Sequence, residues 1–230
     1  MKIFIFSFLI SIGLNGFAQN KFHKCKLFFN NGNQVEGFAK FPTNISMDDK
    51  IKYKKTLRTD DVTKIDGSRL KEIIYTTKEG RTYFFLNTKF YKSRLDDKSN
   101  VKTKLYRPYW MVHSYMHDKL SVFILSEGYK INKGGGLTSY SINQLGLGDY
   151  ALIYLVKKPK EEYPSMLSFR ANGYVNNGNK FFKRVAMAYF KEDKSILKRI
   201  RKNEFGLETY DALIRAYCNC DYKDKFYIHY

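Results

Sequence analysis

Two histidines, His113 and His117, stand four residues apart. On a helix that spacing would carry both imidazoles to one metal ion. A zinc peptidase places glutamate directly after the first histidine, and Ser114 occupies that position here. The residues around the pair read as strand and turn, and no third ligand is indicated. Cys218, Cys220 and His229 offer three further ligands near the end of the chain. Cys-x-Cys with a distant histidine lacks the spacing of a structural zinc site. Ser195-Ile196-Leu197-Lys198 has the Ser-x-x-Lys form of penicillin-recognising hydrolases, but neither Lys-Thr-Gly nor Ser-Asp-Asn occurs anywhere. Ser195, two residues after Asp193, reads more simply as a helix-start residue. Leu125-Ser126-Glu127-Gly128 lacks the first glycine of a nucleophile elbow. Gly134-Gly135-Gly136 lacks the Gly-Lys-Ser/Thr ending of a phosphate loop and reads as a flexible insert. The acidic doublets Asp48-Asp49, Asp60-Asp61, Asp96-Asp97 and Glu161-Glu162 fall in turns, where adjacent carboxylates are normally solvated. The expectation is therefore no catalytic residue, no metal and no cofactor readable from motif.

Charge is the stronger signal. The chain carries 41 basic and 22 acidic side chains, a formal +19. Such a balance attracts polyanions, whether nucleic acid, anionic headgroups or acidic polysaccharide. It also follows from a composition rich in residues with AT-rich codons. Lysine outnumbers arginine 31 to 10, and bidentate phosphate recognition favours arginine, so specific nucleic-acid recognition is not expected. Between Lys180 and Lys202 nine basic residues face only Glu192 and Asp193, beside a line of aromatics. Lys183, Arg184, Lys198 and Arg199 are the candidate contacts to an anionic polymer or membrane surface. The alternative is an ordinary amphipathic helix with its aromatics on the sheet and its lysines in water.

The N-terminus predicts export. Lys2 precedes a twelve-residue apolar run, Ile3 to Leu14, and Gly16 and Ala18 place small side chains before Gln19. That run is shorter than the ~20 residues a membrane-spanning helix needs. Residues 1–18 are read as a signal peptide and the mature protein as periplasmic or secreted, with no integral membrane segment. Three cysteines, Cys25, Cys218 and Cys220, cannot all pair within one chain. A bridge from Cys25 to Cys218 or Cys220 and three free thiols are the two expectations.

The elements that would position these residues are strands first and helices last. Lys24–Phe29 and Gln34–Phe41 flank Asn31-Gly32, a strong hairpin signal because both residues tolerate positive φ. Lys50–Lys55 alternates, with Ile51 and Tyr53 on one side. Glu72–Thr77 pairs with Arg81–Leu86, and Trp110–Met116 with Leu120–Ile131. Tyr150–Lys157 and Ser165–Phe169 complete the set. The stretch Asn132–Asp149 shows no period. Lys180–Lys191, Lys194–Arg201 and Leu207–Tyr217 repeat apolar residues at helical spacing, with Asn177 or Asn179 and then Asp193 as candidate caps. The order predicts an α+β protein: a mainly antiparallel body, sandwich or barrel-like, over 19–170, followed by about three helices in 171–230.

The Phe17-Ala18-Gln19 ending of the signal peptide, the hairpin Leu27–Gly37 and the ending Phe181–Tyr217 resemble exported proteins of Bacteroidota with a strand-rich body and short C-terminal helices. The resemblance implies compartment and architecture, and brings no site residues with it. The functional expectation is an exported, non-enzymatic binding protein whose partner is an envelope component or an anionic polymer. The alternatives are a hydrolase assembled from distant residues, and a peripheral polyanion or membrane binder acting through 180–202.

Overall fold

A computed structural model describes residues 22–44, 50–58, 60–140, 150–171, 178–221 and 227–228. Residues 1–18, read as a signal peptide, the doublet Asp48-Asp49, Asn177 and His229 lie outside the described residues. In chain order the strands are β1 (His23–Phe29), β2 (Gln34–Ala39), β3 (Lys50–Lys54), β4 (Thr63–Asp66), β5 (Leu70–Thr76), β6 (Thr82–Leu95) and β7 (Val101–Met116). They continue with β8 (Ser121–Leu125), β9 (Gly128–Ile131), β10 (Leu137–Tyr140), β11 (Tyr150–Lys157) and β12 (Ser165–Ala171). Helices α1 (Gly178–Tyr189), α2 (Lys194–Arg201) and α3 (Tyr210–Cys218) follow, and then the short β13 (Tyr227–Ile228). The protein is α+β, with a mainly antiparallel, barrel-like sheet and three short C-terminal helices.

The large sheet has ten strands in the order β12-β11-β8-β7-β6-β5-β1-β2-β3-β4, and β12 also pairs with β6. That extra pairing, parallel at Ser165 and Tyr91, closes β6, β7, β8, β11 and β12 into a barrel. Tyr91 N donates to Pro164 O at 2.8 Å at the seam. Strand β5 takes the same edge of β6 lower down, at residues 82–86. The arm β5-β1-β2-β3-β4 extends from there.

Strand alternation sorts the apolar residues into two layers. Phe90, Met111, Phe123, Leu125, Ile153 and Phe169 fill the barrel. Val122, Ile124, Leu152, Tyr154 and Val156 point the other way, into the core shared with the helices and with Leu27 and Ile73 of the arm. Strands β8 and β11 are thus buried on both faces, which accounts for their unbroken apolar runs. Each such Val, Leu or Ile contributes about 1.5–3 kcal/mol by leaving water. From the helices, Phe182, Ala186, Ile196, Ile200, Leu213 and Ile214 complete the layer. Asp193 caps α2 as the sequence implies, its Oδ1 accepting from Ile196 N at 3.0 Å. Asn179 instead lies inside α1 and accepts from Leu207 N at 2.8 Å.

Five segments differ from the sequence reading. Strands β6 and β7 are much longer than their apolar cores, because their outer halves pair with each other. Strand β4, whose single apolar residue is Ile65, pairs with β3 and carries no hydrophobic period of its own. The stretch Leu120–Ile131 is two strands, broken at Ser126 and Glu127. The triple glycine is an ordered hairpin turn between β9 and β10: Asn132 Oδ1 accepts from Gly134 N at 3.0 Å and Gly136 N at 2.8 Å. Gly135, at φ +75°, supplies the left-handed residue that the turn requires.

A buried polar knot ties the arm to the barrel. Asn44, only 5% exposed, donates through Nδ2 to Trp110 O at 2.8 Å and Ser126 O at 2.7 Å. Its Oδ1 accepts from Trp110 N at 2.9 Å, and its backbone N donates to Glu127 O at 2.7 Å. Tyr129 adds its hydroxyl to Trp110 O and Ile124 O, each at 3.1 Å. Asn44→Leu leaves the backbone groups of Trp110 and Ser126 buried without that partner. A loss of about 2–4 kcal/mol is expected in denaturant unfolding, and a loss below about 0.5 kcal/mol would show that the knot is not structural.

Candidate functional site

The inward residues of the arm are Cys25, Leu27, Ala39, Ile51 and Tyr53. Pleating therefore turns the alternate positions outward. Those positions are Lys24 and Lys26 on β1, Lys50, Lys52 and Lys54 on β3, and Lys64 on β4, with Lys40 directly after β2. Register sets them in rows. Lys24 and Lys54 flank Phe38 from either side. Lys52 stands opposite Lys64, and on its other side Lys40 N donates to Lys52 O at 3.0 Å. Lys40, Lys52 and Lys64 thus cross three neighbouring strands at the ~4.8 Å strand spacing. The Phe22 ring is shared by two of the cations, 5.4 Å from Lys40 Nζ and 5.2 Å from Lys54 Nζ.

Acidic side chains on this face are few. Glu36 pairs with Lys26 at 3.6 Å, Asp66 lies opposite Lys50, and Glu72 lies opposite Phe28. The positive field is visible in Lys40, whose pKa is lowered first by partial burial and then by Lys52 and Lys54. Like charges directly opposite one another destabilise a sheet, and Lys52 and Lys64 are held in that arrangement.

The helical cations expected to act together are divided. Lys183 and Arg184 line a shallow groove of about 440 Å³ with Lys180, Met187 and Arg201. Lys183 Nζ is engaged there, donating to Arg201 O at 3.3 Å and Asn203 Oδ1 at 3.0 Å. Arg199 pairs with Glu204 at 2.6 Å and stacks on Phe205 at 4.7 Å. Lys198 is exposed on α2 away from that groove. Two of the four candidates thus hold the helical segment together.

His113 and His117 lie on β7 and its turn, so the helical spacing does not apply. The His113 ring stacks on Phe123 at 4.6 Å. His117 instead accepts from Lys119 N through Nδ1 at 3.2 Å. Among the described residues no group of three or more His, Cys, Asp or Glu side chains is placed to hold a metal. A cleft of about 840 Å³ opens between β6, β7 and the β9–β10 turn, lined by Arg81, Tyr83, His113, Ser114 and Asn132. Among the described residues no carboxylate lines it. Tyr83 latches its wall, donating to Gly135 O at 3.0 Å and accepting from Leu137 N at 3.1 Å.

All three cysteines are free thiols. The Cys25 bridge, one of the two expectations, is not formed in this structure. Cys25 is buried beside Tyr53 and Tyr75, and burial pushes its thiol to about 12. Cys218 meets Cys220 instead, and Cys220 is hydrogen-bonded to the Tyr115 hydroxyl. No protein-family model, curated protein or solved structure matches the chain.

Burial lowers the His113 pKa, with Lys157 adding to the effect and a hydrogen bond to the Tyr115 backbone opposing it. A lowered folded-state pKa means that the unfolded chain binds the proton more tightly. Stability is then complete above the unfolded value of about 6.5 and falls as pH drops through it toward the folded value. Urea unfolding between about pH 7 and pH 5 should show this loss, and His113→Phe should remove the His113 share of it. An unchanged pH slope in the variant would assign the effect elsewhere.

Proposed function

We propose that the protein is exported and works as a non-enzymatic binding protein, holding an anionic polymer of the envelope or its surroundings on the outward face of β1–β4. One observation carries the reading: seven lysines share that face with three acids, and two of the lysines are fixed directly opposite each other. Repulsion of that kind is relieved when an anion lies across it, so binding energy and fold stability point the same way. Lysine serves such a surface well, because it acts as a point charge on a long stem and needs no fixed bidentate geometry. Export rests on the N-terminal sequence. No helix among the described residues is long and apolar enough to cross a membrane, which is compatible with it.

Binding of polyphosphate or an acidic polysaccharide should weaken steeply with salt. Lys52→Glu with Lys64→Glu should lower low-salt affinity by about tenfold or more, and the fold should survive because both side chains are exposed on the outermost strands. Reversing Lys183, Arg184, Lys198 and Arg199 should cost less affinity, since Lys183 and Arg199 are engaged within the helical segment. Equal binding by the β3–β4 variant and the parent would refute the assignment. N-terminal sequencing of the mature protein should begin near Gln19, and an intact Met1 would remove export from the reading.

A further inference from the structure

Strands β6 and β7 run on past the barrel as a two-stranded ribbon. The last partner of β6 on its other edge is Ser165 of β12, at Tyr91. On β7, pairing with β8 begins only at Val112. From Lys92 to Lys104 the two strands therefore pair only with each other among the described residues, joined by the turn 96–100. Ser93 Oγ donates to Met166 O at 3.3 Å and seats the root of the ribbon on β12.

Register gives the ribbon one strongly cationic face. Lys92 is opposite Lys104, and Arg94 is opposite Lys102. Positions two apart on a strand share a face, so the four cations form two successive like-charged pairs about 6.6 Å apart along the ribbon. Lys92 and Lys104 both lie over Tyr106, at 5.6 and 5.9 Å from its ring centroid. Arg94, Lys102 and Lys104 are exposed. The neighbouring acid is Asp96, whose Oδ2 is 3.9 Å from Lys102 in a solvent-exposed pair. Its Oδ1 is used by the turn, accepting from Lys98 N and Asn100 N. The reverse face is Ser93 with Thr103 and Leu95 with Val101.

The major groove of B-form DNA, about 12 Å wide, admits a two-stranded ribbon. Phosphates line both walls of that groove, so cations spread over both strands of a ribbon meet charge on either side. The tip carries Asp96 and Asp97 against the single Lys98, a net negative end that disfavours end-on entry and favours a lengthwise approach. The cationic face has no Asn or Gln to pair with adenine, and three of its four cations are lysines rather than bidentate arginines. We infer that this ribbon is a contact for duplex nucleic acid: it lies along the major groove and binds phosphates without reading sequence, through Lys92, Arg94, Lys102 and Lys104. The site uses residues separate from the lysine face of β1–β4.

The test is fluorescence anisotropy of the mature protein with a labelled, mixed-sequence duplex about two helical turns long, over a range of salt. Arg94→Thr, Lys102→Thr and Lys104→Thr are combined, with circular dichroism and melting to verify the fold. Lys92 is left in place because it is half-buried. The expected result is a shallower dependence of log affinity on log salt, by about three, and an affinity loss of about tenfold or more at moderate salt. A scrambled duplex should behave like the first. An unchanged salt slope overturns the inference. So does an equal loss for a sulfated oligosaccharide or anionic vesicles, since the ribbon would then respond to charge in general. Loss of duplex binding on Lys52→Glu with Lys64→Glu, but not on the ribbon change, also overturns it and leaves the sheet-face reading standing.

Discussion

Strand β6 sets the limits within which everything else is arranged. A strand has two edges, and β6 gives one of them to β7 along ten register positions while dividing the other between β5 and β12. The irregularity in register between Thr88 and Phe90 lies between those two partners. A bulge bends the strand that carries it and increases local twist, which lets the lower half continue into the arm while the upper half closes the barrel. Without that division the sheet would be an open ribbon of ten strands, a size at which twisted sheets curl or split.

Closure decides which faces need cover. The five barrel strands bury their inner side chains against one another, leaving an apolar outer layer on β8 and β11. The helices exist to bury that layer, and their sequences show it: Phe182, Ala186 and Phe190 recur at four-residue spacing on the side that meets the sheet. Tyr154 of β11 and Tyr210 of α3 stack at 4.0 Å within this interface. A second tie uses polar atoms. Tyr189 donates to Glu161 at 2.5 Å, and Lys158 Nζ donates to Tyr189 O at 3.0 Å, fixing the end of α1 to the β11–β12 turn.

The arm and the ribbon share a different feature. Both hold cations directly opposite cations, at Lys52 with Lys64, Lys92 with Lys104, and Arg94 with Lys102. A sheet selected for stability alone would alternate signs at such positions, because opposite charges support a cross-strand pair and like charges weaken it. The core absorbs this cost, since the paired positions lie on strands or strand ends whose packing is supplied elsewhere. Net charge of this sign also keeps molecules apart and strengthens association with anions at a distance.

Short-range pattern sufficed for the local elements. The Asn31-Gly32 hairpin, the alternation of β3, the Asp193 cap and the three helices were all legible, because each depends on residues within a few positions of one another. Barrel-like closure was one of the expected arrangements. It could not be chosen from periodicity, because it rests on a single parallel pairing between residues 74 apart in the chain, Tyr91 and Ser165. Strand β4 was invisible because its stability comes from pairing with β3, and the outer halves of β6 and β7 because each is partnered only by the other. The sequence drew attention to the cations of 180–202, where basic residues are dense along the chain. Tertiary structure moved the emphasis to lysines scattered from Lys24 to Lys64 and to the pairs of the β6–β7 ribbon. Linear density measures charge per residue, whereas an anion meets charge per area of folded surface, and strand register alone decides which side chains share that area.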